Sequence, residues 1–239
     1  MMPAIQSQRS ADPQAPHVYD ATLDPNSNRE TFFAESKLVV QTGFFRLPDL
    51  YEHLQSHILP KLENRKELQV WSAGCSDGRE PYSLAMVLDN WRRQHPDCLP
   101  SGFSIDGLDI NGEQIAIARK GTYQITSGEQ VKLADYQQYI TCDSKIDIQV
   151  VPQLRRLVRF TRGDILSQQN DTEYDLIICT NVLFYYATDF RKEIVRHLLE
   201  ALKPGGYIYL EAVGNRFMRS IGLQRVVPGS HYFAYEREH

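Results

Sequence analysis

The feature that most constrains the fold is a short apolar run that enters a glycine loop and passes into a helix. Leu68–Ala73 reads as a strand, Gly74-Cys75-Ser76-Asp77-Gly78 as a tight loop, and Pro81 to Arg93 as a helix. Pro81 is tolerated at the first helical position, where a backbone N–H has no partner anyway. Small residues at such a turn let a ligand approach the backbone at a helix N-terminus. A strand, loop and helix in this order predict an open sheet with crossover helices.

The rest of the chain repeats the alternation. Leu50 to Glu63 carries apolar residues at helical spacing, with Pro48 and Asp49 at its start. Phe103 to Leu108 is a strand ending at Asp109, and Glu113 to Lys120 a helix closed by Gly121. Leu157 to Thr161 is a strand ending near Asp164, and Leu176 to Cys179 one ending at Asn181. Phe190 to Leu202 is amphipathic and stops at Lys203-Pro204-Gly205-Gly206, before a strand from Tyr207 to Ala212. Leu223 to Val227 and His231 to Tyr235 flank Pro228-Gly229-Ser230 as a hairpin. The expected fold is α/β: a doubly wound, mostly parallel, seven-stranded sheet. Residues 122–156 break the alternation, helical over Glu129 to Tyr139 and strand-like over Ile146 to Val151. They are expected to form a small inserted β-subdomain. Residues 1–29 hold four of the 12 prolines (Pro3, Pro13, Pro16, Pro25) among polar residues. Such a stretch buries too little apolar surface to offset its ordering entropy, so it is expected to be a flexible arm, with a single domain over 30–239.

Composition excludes several classes. The net charge of −4, from 26 basic and 30 acidic residues, argues against a general nucleic-acid binder. No apolar run reaches the roughly 18 residues of a membrane helix, and the N-terminus lacks the apolar core of a secretory signal. Cys75, Cys98, Cys142 and Cys179 are scattered, which suits a reducing cytoplasm rather than a disulfide scaffold or thiolate zinc site.

Four polar residues fall at or just past strand ends: Glu80, Asp109, Asp164 and Asn181. Open α/β sheets bind ligands at those ends. The loop lacks G-x-G-x-x-G, Asp109 lies much farther on than the about 20 residues of the dinucleotide fingerprint, and no P-loop is present. An acid at Glu80 also opposes a pyrophosphate. A cationic nucleoside such as S-adenosylmethionine fits these acids better, with Asp109 accepting hydrogen bonds from a ribose diol. A rival lies in the same loop, because Gly74–Gly78 also matches the G-x-S-x-G nucleophile elbow of serine hydrolases, with His231 downstream. That elbow follows a mid-sheet strand, and no strand precedes Leu68. His53 and His57 lie at i, i+4 but lack the Glu of H-E-x-x-H, so no metal site is expected.

VWSAGCSDGREPYS at 70–83 closely resembles the W-S-A-x-x-S-x-G-E-E-P-Y-S motif of the chemotaxis receptor methyltransferases, the CheR family. QTGFFR at 41–46 resembles its T-x-F-F-R element, and GLDI at 107–110 its A-T/S-D-I. YDLIICTNVLFYY at 174–186 resembles F-D-x-I-x-C-R-N-V-x-I-Y-F, and LKPGG at 202–206 is common among methyltransferases of this fold. The resemblance spans about residues 31–237.

It implies a Rossmann-like class I methyltransferase that uses S-adenosylmethionine, leaves S-adenosylhomocysteine, and typically methylates a receptor glutamate. Carried over by position, Thr42, Arg46, Glu80, Asp109, Asp164, Ile165, Thr180 and Asn181 would bind the cofactor. Asp109 would hold the ribose and Asp164 the adenine edge. Arg46 and Tyr185 would face the donor methyl as the catalytic pair, and the inserted segment would meet the receptor. The chemistry agrees: a glutamate carboxylate, with a pKa near 4.3, is already a nucleophile at neutral pH. Methyl transfer then needs in-line positioning more than a base, and Arg46 could hold the acceptor carboxylate by a bidentate pair. The chain departs from the pattern at Thr180 (family Arg), Arg79 (Glu), Leu47 (Glu), Val40 (Asn) and in EAVGN at 211–215 (G-H-S-E). Set against the resembled family, the chain is expected to lack its N-terminal helical domain, with only the Pro-rich arm in its place. The expected partner is a receptor or signalling protein carboxylate. The alternatives are a small carboxylate or other acceptor, or a non-catalytic module that binds S-adenosylmethionine.

Overall fold

The fold is taken from a computed structural model that describes residues 42–99, 101–168, 172–211, 224–225 and 232–236. The expected arm at 1–29 lies outside the described residues. In chain order the elements are α1 (Pro48–His53), a π-helical turn (Leu54–Ile58), α2 (Leu59–Leu62), β1 (Leu68–Ala73) and α3 (Arg79–Gln94). Next come β2 (Phe103–Asp109), α4 (Gly112–Lys120), β3 (Thr122–Gln124), α5 (Ser127–Lys132) and a 3-10 segment (Ala134–Tyr139). Then follow β4 (Ile140–Cys142), β5 (Asp147–Val150), α6 (Pro152–Arg155), β6 (Val158–Arg162) and a 3-10 turn (Ile165–Ser167). The chain continues through β7 (Tyr174–Cys179), a 3-10 turn (Leu183–Tyr185), α7 (Thr188–Glu200), β8 (Leu202–Glu211), β9 (Gln224–Arg225) and β10 (Tyr232–Glu236).

Seven strands form one sheet in the order β6-β2-β1-β7-β8-β10-β9. The first five are parallel, and β10 runs antiparallel between β8 and β9. This is the Rossmann-like class I methyltransferase fold. Strand order reverses between β1 and β7, so the crevice beyond their carboxyl ends is the topological switch point. Residues 122–150 supply a separate antiparallel sheet, β3-β5-β4.

Two apolar layers flank the main sheet, as the period of two along a strand requires. Leu68 and Val70 of β1 join Leu176 and Ile178 of β7 in the layer under α3 and α4. Trp71 and Ala73 of β1 join Ile177 and Cys179 in the layer under α7. Leu84, Leu88 and Trp91 give α3 its buried stripe. Ile194, Val195 and Leu198 do the same for α7. Each large side chain buried this way contributes about 1.5–3 kcal/mol.

Three boundaries differ from expectation. The helix at Leu50 to Glu63 is broken by a π-helical turn at Leu54–Ile58, ahead of Pro60. A proline has no N–H to give and clashes with the preceding turn. α3 starts at Arg79 rather than Pro81, because Gly78 takes a left-handed conformation and releases the chain directly into the helix. Lys203–Gly206 lies within β8, not before it, as a shift in register against β7. Of the terminal hairpin, β9 and β10 are paired, while 226–231 lie outside the described residues. Among the described residues, no helix is long and apolar enough to cross a membrane.

Candidate functional site

The loop Gly74–Gly78 closes the crevice between β1 and β7. Gly74 has φ +83°, and a Cβ there would lie 2.2 Å from Val182 Cγ2, just past the end of β7. Only glycine lets the two loops approach this closely. Three non-glycine residues with positive φ also belong to this region: Phe45 (49°), Ser76 (50°) and Asn181 (59°). Each such residue costs about 1–3 kcal/mol, and strain of this kind concentrates at ligand sites.

Glu80, in the first turn of α3, is held by two hydroxyls. Ser72, inside β1, donates to Oε1 at 2.7 Å, and Thr180, after β7, donates to Oε2 at 2.8 Å. Burial pushes the Glu80 carboxyl up, while the hydrogen bonds from Ser72 and Thr180 and the nearby Arg46 guanidinium pull it back down. Asp109, at the end of β2, accepts from Ser76 N at 2.7 Å and Asn111 N at 2.8 Å. Burial raises its carboxyl too, against those two bonds. A carboxylate has about four lone-pair sites, so both oxygens keep capacity for a diol. Asp164, buried after β6, accepts from Leu166 N at 3.0 Å and caps the short turn that follows.

The expected site residues fall into distinct positions. Glu80 and Thr180 are hydrogen-bonded, the Arg46 charge acts on Glu80, and Asn181 follows Thr180 at the switch point. Asp109 and Asp164 line the ends of the neighbouring strands. Ile165 is 5% exposed and packs in the apolar layer under α7. Thr42 is half-buried at the start of the segment that carries Arg46. Tyr185 is half-buried in the turn after β7, its ring 4.1 Å from that of Phe184. Among the described residues, no group of three His, Cys, Asp or Glu is placed to hold a metal ion.

Two contributors escaped the sequence reading. Ser72 is a polar residue in an otherwise apolar strand, fully buried, and that mismatch was its signal. Glu129 lies in the inserted segment, far from every motif. It closes a capping box with Thr126 at the start of α5, a pattern visible as T-x-x-E. Glu129 Oε1 also accepts from Phe44 N and lies 3.4 Å from Arg79 Nε. Arg79 in turn pairs with Asp77 at 2.7 Å and donates to Gln124 O at 2.9 Å. The departure from the family motif at Arg79 is thus matched by two acids. Lys132 donates to Phe45 O at 3.0 Å, and Tyr136 stacks on Phe45 with ring centroids 4.4 Å apart. The inserted segment therefore grips the turn that carries Arg46.

The residues present fit a cationic nucleoside. The acids Glu80, Asp109 and Asp164 supply the charge, and Ser76 Oγ, in the glycine loop, is a buried hydroxyl without a hydrogen-bond partner. Fold and site thus define a nucleoside-binding α/β domain built for a positively charged ligand rather than a pyrophosphate. The chain belongs to the family described as CheR methyltransferase, SAM binding domain, which matches residues 40–217. S-adenosylmethionine is the cofactor of that domain.

Its relatives include chemotaxis protein methyltransferase 1 of Pseudomonas aeruginosa, 31% identical over 72% of this chain and 65% of that protein. They also include the chemotaxis protein methyltransferase of Listeria monocytogenes, 32% identical over 71% of this chain and 63% of that protein. The chain thus spans a little under two thirds of the length of these relatives. Among solved structures it is similar to magnesium protoporphyrin IX methyltransferase from Synechocystis PCC 6803 with bound SAM. That likeness has a TM-score of 0.45 at 16% identity, over 80% of this chain and 79% of the other.

Proposed function

We propose that this chain transfers a methyl group from S-adenosylmethionine to a glutamate side chain of a receptor protein, as a protein-glutamate O-methyltransferase. The reading rests on Arg46, whose positive charge acts on the Glu80 carboxylate at the switch-point crevice. A crevice of acids binds the cofactor but repels an anionic acceptor. Arg46 supplies the positive charge and the fork geometry that a second carboxylate needs.

When bound, the cofactor supplies an electrophilic methyl on a sulfonium. Glu80, oriented by Ser72 and Thr180, would hold the cofactor's charged end. Asp109 would accept from the ribose hydroxyls, and Asp164 from the adenine edge. Arg46 would hold the acceptor carboxylate, and Tyr185 would face the donor methyl. No proton need be removed, because the acceptor is ionised at neutral pH. The names of the relatives, chemotaxis protein methyltransferases, support methyl transfer in chemotaxis. The same reading gives the protein a cytoplasmic partner, a receptor or signalling protein with an accessible carboxylate.

The test is incubation with methyl-tritiated S-adenosylmethionine and receptor signalling fragments. Base-labile label in the receptor band, lost in Arg46→Ala, supports the reading. Label in small molecules only, or none, overturns it.

A further inference from the structure

A cleft of about 390 Å³ opens where α3, α4, α6 and β6 meet, lined by Tyr82, Arg119, Arg155, Arg156, Val158 and Phe160. It shares no residue with the cofactor groups. Its floor is aromatic, since Tyr82 and Phe160 are buried with ring centroids 5.3 Å apart. Its walls are cationic, which is unusual in a chain of net charge −4.

The three guanidinium groups are not spent on acids. Arg119 donates from Nε and Nη2 to Phe160 O, at 3.2 and 2.8 Å. Arg155 donates from Nη2 to Arg119 O at 2.8 Å. Backbone carbonyls hold both side chains in place but leave their charge uncompensated, and each keeps further N–H groups. Gly121, with φ +65°, makes room for Arg155, because a Cβ there would lie 3.1 Å from its Cδ. Arg156 is exposed on the rim. Nearby Arg159 is already taken by Asp106 at 2.7 Å. Among the described residues, Arg119, Arg155 and Arg156 have no ion pair with a carboxylate. Like charges brought together without counter-ions repel, so three such groups around one concavity are best relieved by an anion.

We infer that this cleft binds a small phosphate-bearing ligand, at a second site distinct from the cofactor crevice. Arginine forks match phosphate oxygens bidentately, and three of them favour a multiply charged group over a single carboxylate. The volume is that of a small-molecule pocket, which begins near 300 Å³. The cleft is open to solvent and has room for a phosphate group with a small substituent.

The test is calorimetric titration of the full chain at low salt with inorganic pyrophosphate, AMP and a hexaglutamate peptide. Saturable one-site binding of pyrophosphate or AMP is expected. Comparison of the two distinguishes an inorganic anion from a nucleotide as the source of the phosphate. Arg156→Gln, a rim residue, and Arg155→Gln should each weaken binding at least tenfold. The unmodified sequence gives a second readout: pyrophosphate should protect Arg119, Arg155 and Arg156 from phenylglyoxal, read by mass spectrometry. The inference is overturned by lack of saturable binding, by binding without protection of these three arginines, or by preference for the peptide.

Discussion

Glu129 and Phe44 lie 85 residues apart in sequence, yet the Glu129 carboxylate accepts a hydrogen bond from the Phe44 backbone N–H at 2.9 Å. This bond, with Lys132 to Phe45 O and Phe45 N to Ser83 Oγ at 3.0 Å, fixes the segment from which Arg46 projects. Glu129→Ala strands the Phe44 N–H in a buried place and removes one partner of Arg79. Loss of a buried partner costs about 1–3 kcal/mol. Urea denaturation should register that loss, and limited proteolysis should show faster cleavage near Phe44. A substitution that changes neither would mean the inserted segment does not position Arg46.

Thr180 takes over part of the work of orienting Glu80. Thr180→Val keeps the shape but removes the donor at 2.8 Å. Affinity for S-adenosylmethionine should fall by about 1–3 kcal/mol, and Thr180→Ser should restore most of it. Equal affinity in the valine variant would show that Ser72 alone orients the carboxylate.

Gly74 admits no side chain. Gly74→Ala meets Val182 Cγ2 and also forces a non-glycine residue to φ +83°. Strain from positive φ alone exceeds about 1 kcal/mol. The melting temperature should fall, and Val182→Ala in the same chain should recover only the steric part. An unchanged melting temperature would put the two loops farther apart than described.

Acid should weaken the cofactor site earlier than it would an exposed carboxylate. Burial raises both Glu80 and Asp109 above the usual value near 4. A sulfonium prefers both ionised, so affinity is full above the raised values and falls as pH drops through them. Calorimetry across pH should show proton release on binding, growing towards acid. S-adenosylhomocysteine, with its neutral sulfur, should show a smaller dependence. A flat profile down to the ordinary carboxylate range would contradict these shifts.

His53 gives a separate dependence, in stability. Burial lowers its pKa to about 4, with His57 and Lys61 adding repulsion. Its ring stacks on His57 with centroids 4.7 Å apart, and Nδ1 meets Tyr209 Oη at 2.5 Å. The unfolded chain binds this proton first, near pH 6.5. Stability is therefore full above 6.5 and declines as pH falls towards 4. His53→Gln should flatten that part of the profile in urea melts. A decline of the same size in the variant would assign it to other groups.

The centre of the main sheet was legible because β1 and β7 are buried on both faces and are followed by polar residues. Leu68–Ala73 and the following loop located the crevice, and Glu80, Asp109, Asp164 and Asn181 marked its rim. The small sheet was harder to read. β3 and β4 have three residues each, too few for a period to show. The π-helical turn at Leu54–Ile58 was hidden because a break in hydrogen bonding leaves apolar spacing intact. Glu129 was missed because its value comes from contacts with Phe44 and Arg79, which no spacing along the chain encodes.

In the proposed function the switch-point crevice binds S-adenosylmethionine through the acids at its strand ends. The most direct test is calorimetric titration of the full chain with S-adenosylmethionine and S-adenosylhomocysteine, beside Asp109→Ala. One site for each ligand is expected in the unaltered chain, weakened by about 1–3 kcal/mol in the variant. Absence of binding to the unaltered chain, or equal affinity in Asp109→Ala, would contradict it.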